Sequence, residues 1–188
     1  MKKKIVLFTI LILITGFTTS QTVLESFEDG DISEYSGEIS SYTVSTNTVY
    51  DGVYSLKSTA DDKVIYRNDI TSSQGDKYTW RQNCLQNCRG SGFIFGFQSH
   101  SGNDNYVGYG PIIAVNIDKF ILDRYDSGSN TRLIEKDVNL NRNEWYQGKI
   151  IWHNNGTIYA AVIDENGDVV TEGSAVDNTY TSGGIGWD

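Results

Sequence analysis

Residues 145–167 read WYQGKIIWHNNGTIYAAVIDENG, and this stretch decides the fold. From Trp145 to His153 the pattern has period two: Tyr146, Gly148, Ile150 and Trp152 fall on one face of an extended chain, and Gln147, Lys149, Ile151 and His153 on the other. Asn154-Asn155, backed by Gly156, is a hairpin signal, so 156–164 returns as an antiparallel neighbour with Ile158, Ala160 and Val162 on the face shared with Trp152. Asn166-Gly167 then supplies the strongest short hairpin signal in the chain. The other face of this second strand carries Tyr159, Ala161 and Ile163, which is less polar than a solvated sheet requires. Either a loop covers it, or it is a shallow apolar platform that accepts a partner or a sugar ring.

Outward from this hairpin the same pattern recurs. Strands are predicted over 78–83 (YTWRQN), 93–98 (FIFGFQ, with Phe93, Phe95 and Phe97 on one face), 112–117, 119–125 and 132–136, separated by Gly, Asn, Asp and Ser. No segment has the spacing of an amphipathic helix. The expected fold is all-β, a two-sheet antiparallel sandwich in which each sheet buries one face.

A chain of 188 residues suits one domain. Hydrophobic residues make up 38% and there is one Pro, so neither a disordered tract nor a Pro-rich linker fits. Residues 1–20 have the form of an export signal: Lys2, Lys3 and Lys4, an apolar run from Ile5 to Ile14, then small polar residues ending in Thr18, Thr19 and Ser20. Cleavage after Ser20 would leave residues 21–188 as the sandwich domain, secreted or at the cell surface, with no integral membrane span. The net charge is −9 from 15 basic and 24 acidic residues, and losing three lysines makes it −12. That balance argues against nucleic acid and anionic membranes as partners.

Export also permits a disulfide. Cys84 and Cys88 are badly placed for bonding on a helix or straight strand, but they can meet across the turn suggested by Asn83, Asn87 and Gly90. The alternative, half of a zinc site, has only His100 and His153 to complete it.

Three stretches, 26–37 (SFEDGDISEYSG), 43–46 (TVST) and 51–57 (DGVYSLK), resemble the opening of jelly-roll sandwiches of the concanavalin A-like, laminin-G-like superfamily in archaeal and bacterial extracellular proteins. Residues 145–167 and 180–187 (YTSGGIGW) are similar to its back half, and the opening also resembles carbohydrate-binding modules. This superfold carries lectins, glycan hydrolases, adhesion modules and spacers alike. The resemblance implies a further strand after Gly183–Trp187. The sequence ends at Asp188, which leaves two readings: a jelly roll lacking its last strand, or a fragment of a longer protein.

The glycan-cleaving members of that superfamily carry alternating acids, E-x-D-x-E or E-x-D-x-x-E, on one strand, and neither pattern occurs here. Nor do the G-x-S-x-G, H-E-x-x-H or P-loop motifs. Two groups of residues remain as candidates. Glu28, Asp29 and Asp31 put three carboxylates around a Gly near the first strand, where the resemblance implies a structural calcium; the plainer reading is a solvated turn. His100, Asp104, Asn105, Tyr106 and Tyr109, in a predicted loop over 99–110, supply the polar and aromatic groups of a sugar site; the plainer reading is core tyrosines and turn formers. The expected function is a non-catalytic glycan-binding module with no required cofactor. The alternatives are a structural or adhesion protein that contacts envelope or surface protein, and a glycan hydrolase whose acids go unrecognised.

Overall fold

The computed structural model describes residues 23–84, 92–103 and 105–188. The expected alternation builds its strands: β1 (Ser36–Gly37), β2 (Tyr42–Ser45), β3 (Ser55–Ser58), β4 (Ile65–Ser73), β5 (Lys77–Asn83), β6 (Phe93–His100), β7 (Tyr106–Ala114), β8 (Lys119–Asp126), β9 (Asn130–Asp137), β10 (Trp145–Trp152), β11 (Thr157–Ile163), β12 (Val169–Val176) and β13 (Ser182–Trp187). They form a seven-stranded sheet in the order β1-β4-β13-β6-β7-β8-β9, a four-stranded sheet β12-β11-β10-β5 and a hairpin β2-β3. The fold is the all-β sandwich expected. No helix among the described residues is long and apolar enough to cross a membrane.

Burial follows parity. Along β10 the residues Tyr146, Gly148, Ile150 and Trp152 are buried and the intervening ones half-buried, as the alternation demands. The β10–β11 register sets Trp152 opposite Ile158 and Ile150 opposite Ala160. Gly148 lies opposite Trp80 of β5, and a Cβ there would come within 2.1 Å of the indole, so Gly is what lets the ring lie flat on the strand. Phe93, Phe95, Tyr109, Phe120 and Leu122 of the larger sheet complete this core. A second cluster, Phe27, Ile32, Tyr35, Tyr42 and Ile65, packs the N-terminal segment against the sandwich. Trp187 joins the two, meeting Phe93 at 5.5 Å and Phe27 at 6.1 Å between ring centroids.

Three strand expectations need correction. Phe97 does not share a face with Phe93 and Phe95. Gly96 has φ +60° and the register with β7 shifts between Phe95 and Ser99, so the chain turns over. Phe97 then packs with Ile94, Val64 and Tyr106 on the outer face of the large sheet. The predicted loop over 99–110 is mostly strand, because β6 continues to His100 and β7 begins at Tyr106. The predicted strand over 112–117 overshoots for the same reason, since 115–118 is a turn. Gly183–Trp187 lies in β13, hydrogen-bonded to β4 on one side and β6 on the other.

Candidate functional site

β5 is the edge strand of the smaller sheet. Along it runs an open cleft of about 2050 Å³, bounded on the far side by the β2–β3 hairpin, the 46–54 loop and the N-terminal segment. The β5–β10 register decides which side chains face outward here. Arg81 stands beside Gln147, Thr79 beside Lys149, Lys77 beside Ile151, and Asn83 beside Trp145. Lys77, Thr79 and Arg81 are exposed, while Trp145, Gln147 and Lys149 are half-buried.

Tyr50 closes one end of this surface. The residue is 46% exposed, and its ring lies edge-on to Trp145 with centroids 5.4 Å apart. The Arg81 guanidinium sits over the same ring, 4.4 Å from its centroid. A cation held on an aromatic face in this way has its plane fixed and its N–H edge left free to donate.

Glu28 holds the loop that carries Tyr50. Its carboxylate accepts from the Val53 N–H at 3.0 Å and the Tyr54 N–H at 3.1 Å. Gly52 passes so close that a Cβ there would lie 2.4 Å from Glu28 Oε1. The other two acids of the predicted metal group serve their own turns. Asp29 Oδ1 accepts from the Asp31 N–H, and Asp31 accepts from the Ile32 N–H, the Ser33 N–H and the Ser33 hydroxyl. The Ser33 hydroxyl and these N–H groups hold the Asp31 carboxyl below its usual range. Among the described residues no group of three His, Cys, Asp or Glu is arranged to hold a metal ion.

The second predicted group is dispersed. His100 Nε2 lies 2.8 Å from the Asn103 carbonyl oxygen and 3.6 Å from Glu38. Asn105 Oδ1 is buried with no hydrogen-bond partner among the described residues. Tyr106 is buried on the outer face of the large sheet, stacked on Tyr125 at 4.3 Å, and burial pushes its hydroxyl well above the usual tyrosine range. Tyr109 is buried on the opposite face, where its hydroxyl donates to Asp177. The two tyrosines therefore line no common surface. Asp104 lies outside the described residues, as does Cys88, the expected partner of Cys84; Cys84 itself is buried.

Sequence reasoning did not single out Tyr50, Arg81 or Trp145. Two signals were present: the outward parity of 78–83 put Arg81 beside Thr79, and that of 145–153 put Lys149 beside Gln147. The stack on Tyr50 could not be read, because it joins a loop to two strands that are distant in sequence. Around the predicted platform, Ala161 is buried between its cross-strand partners Lys149 and Glu172, and the Tyr159 hydroxyl donates to Glu172.

No protein-family model matches the chain, and no curated protein matches it. Solved structures share its fold. A carbohydrate-binding module CBM66 from Bacillus subtilis is similar with a TM-score of 0.58 at 16% identity, over 82% of this chain and 86% of that one. The globular domain of T. cruzi calreticulin is similar with a TM-score of 0.55 at 8% identity, over 86% of this chain and 79% of the other. A protein of unknown function from Shewanella oneidensis MR-1 has a TM-score of 0.51 at 12% identity, over 82% and 67%. At these identities the likeness is one of fold.

Proposed function

We propose that this chain is a non-catalytic glycan-binding module of the concanavalin A-like, laminin-G-like kind, exported and acting outside the cell, with its site in the cleft along β5. One observation carries the reading: Tyr50, Trp145 and Arg81 form a partly exposed stack beside Gln147, Lys149 and Asn83. A sugar ring has an apolar C–H face and a rim of hydroxyls, and an aromatic surface fringed by amide and cationic donors complements both. The fold shared with a carbohydrate-binding module supports the same class of ligand. The test is affinity of the purified full chain across a panel of soluble polysaccharides, with Tyr50→Ala and Trp145→Ala alongside. Each variant should bind about tenfold more weakly, a loss of about 1.4 kcal/mol, at an unchanged urea midpoint. A panel blank for the unaltered chain sinks the reading. Binding that survives both substitutions moves the site out of the cleft.

The runner-up is a structural or adhesive envelope protein without a sugar ligand. The edge strand β12 favours it, because Val169 and Val176 are 53% and 69% exposed beside an unpaired strand edge among the described residues. Concentration-dependent dimerisation abolished by Val176→Lys, together with a blank glycan panel, would favour this alternative.

A further inference from the structure

The distribution of cations narrows the ligand class. Lys63, Arg67, Lys119, Arg124 and Arg132 each lie within ion-pair distance of a carboxylate. Lys57, Lys77, Arg81 and Lys149 have no carboxylate partner among the described residues, and all four line the cleft. Lys136 and Arg142 are the other two described cations without such a partner. In a chain with 24 acidic and 15 basic residues, cations are not scarce of partners by chance of composition. Four of the six described cations without a carboxylate partner line the cleft that holds the aromatic stack.

Their placement is regular. Lys77 and Arg81 are four residues apart on the outward face of β5, roughly 13 Å at the rise of an extended strand. Lys149 stands across from Thr79, midway between them and one strand over, about 5 Å to the side. Lys57 faces this row from the β2–β3 hairpin. Five acids line the same cleft: Glu25 pairs with Arg67, Glu28 accepts from the 53–54 backbone, Asp51 from the Gly52 N–H, Asp76 from the Tyr78 hydroxyl and the Ser73 N–H, and Asp61 lies beside the β2–β3 hairpin, so the cation row is local to the outward face of β5 and β10 and does not make the whole cleft positive.

We propose that the glycan bound here is a polyanion, a polysaccharide of uronic acids, with Arg81, Lys77 and Lys149 reading carboxylates on successive units. This rests on the glycan-binding reading above. Arg81 favours carboxylate over an ester or a hydroxyl, because its planar fork, held flat on Tyr50, offers two parallel N–H donors to a planar two-oxygen acceptor. The lysines act as point charges and tolerate variation in the spacing of the units.

The test compares sodium polygalacturonate with the same polymer fully methyl-esterified, which removes the charge and keeps the sugar. The full chain should bind the acid form at least tenfold more tightly. The combined variant Lys77→Gln, Arg81→Gln, Lys149→Gln should lose that difference while keeping its urea midpoint. Equal affinity for acid and ester, or binding of neutral polysaccharides but not of polygalacturonate, overturns the anionic ligand and leaves the glycan reading standing. Poly-L-glutamate bound as tightly as polygalacturonate overturns both, because charge alone would then be recognised. A chain that binds no polysaccharide of either kind also ends both. The comparison of acid with ester on the unaltered chain decides the matter even if the triple variant folds poorly.

Discussion

The Tyr109 hydroxyl donates to Asp177 Oδ1 at 2.7 Å, tying β7 to the turn between β12 and β13. Arg124 of the neighbouring strand β8 reaches the other carboxylate oxygen at 2.6 Å, and the Thr179 N–H donates to Oδ1 at 2.9 Å. A carboxylate with this many donors, 9% exposed, links the two sheets at the point where the chain crosses from one to the other.

The first prediction concerns acid. Burial alone would raise the Asp177 pKa, but the Tyr109 hydroxyl, Thr179 and the Arg124 guanidinium outweigh it, and the carboxyl is held below its usual range. A group whose pKa is depressed by folding contributes stability that is fully present above its unfolded pKa and lost as pH falls through the folded value. The urea midpoint should therefore drop as pH falls below about 4. Asp177→Asn should be less stable at neutral pH by about 1.5–3 kcal/mol and show a flatter profile in that acid window. Parallel profiles for the two proteins would remove Asp177 from the account.

The second is that Trp152 serves the core and not a ligand. It is fully buried, edge-on to Phe95 at 5.1 Å and to Tyr109 at 5.6 Å. Trp152→Ala should cost about 3–5 kcal/mol or abolish soluble expression. Its Nε1 has no hydrogen-bond partner among the described residues, so Trp152→Phe should cost less than Ala. Chemical denaturation of both variants measures the order, and a Trp152→Ala chain of near-normal stability would contradict it.

The outcome along each strand shows what a sequence can disclose. The hairpin over 145–163 was fully legible, because alternation and turn residues are local, and Asn154-Asn155-Gly156 and Asn166-Gly167 sit where the chain reverses. β4 and β12 were not. IYRNDITSS and VVTEGSAV lack a clean apolar period, since much of one face of each looks to solvent or to the N-terminal segment. Phe97 misled because a bulge at one glycine reverses parity, and nothing in FIFGFQ marks it beyond the Gly itself. At the site, Glu28 was legible as notable, but the loop it holds was not: its partners lie 25 and 26 residues away, beyond local reading.

A third prediction is that Cys84 and Cys88 form an intramolecular disulfide in exported protein. The loop closed is very short, so chain-entropy stabilisation should be small and reduction should lower the melting temperature only slightly. Peptide mass mapping without reductant reads the bond directly, and two alkylatable thiols in secreted material would refute it.

The fourth is that mature protein begins at Gln21. Intact mass of secreted material should lack residues 1–20, and a product retaining Met1 would count against an export signal.

β13 occupies an interior position of the seven-stranded sheet, although it is the strand nearest the C-terminal end of the sequence. As a ribosome makes the chain, β4 and β6 emerge long before the strand that separates them, and each waits with one edge unsatisfied. Pairing β13 with β4 closes loops on the order of a hundred residues, which is slow because chain entropy is lost before contacts repay it. The seven-stranded sheet therefore closes only after residues 182–187 have been made. Residues 182–187 act as a late key whose insertion commits the whole sheet, so a stall or truncation upstream leaves two open edges exposed to aggregation.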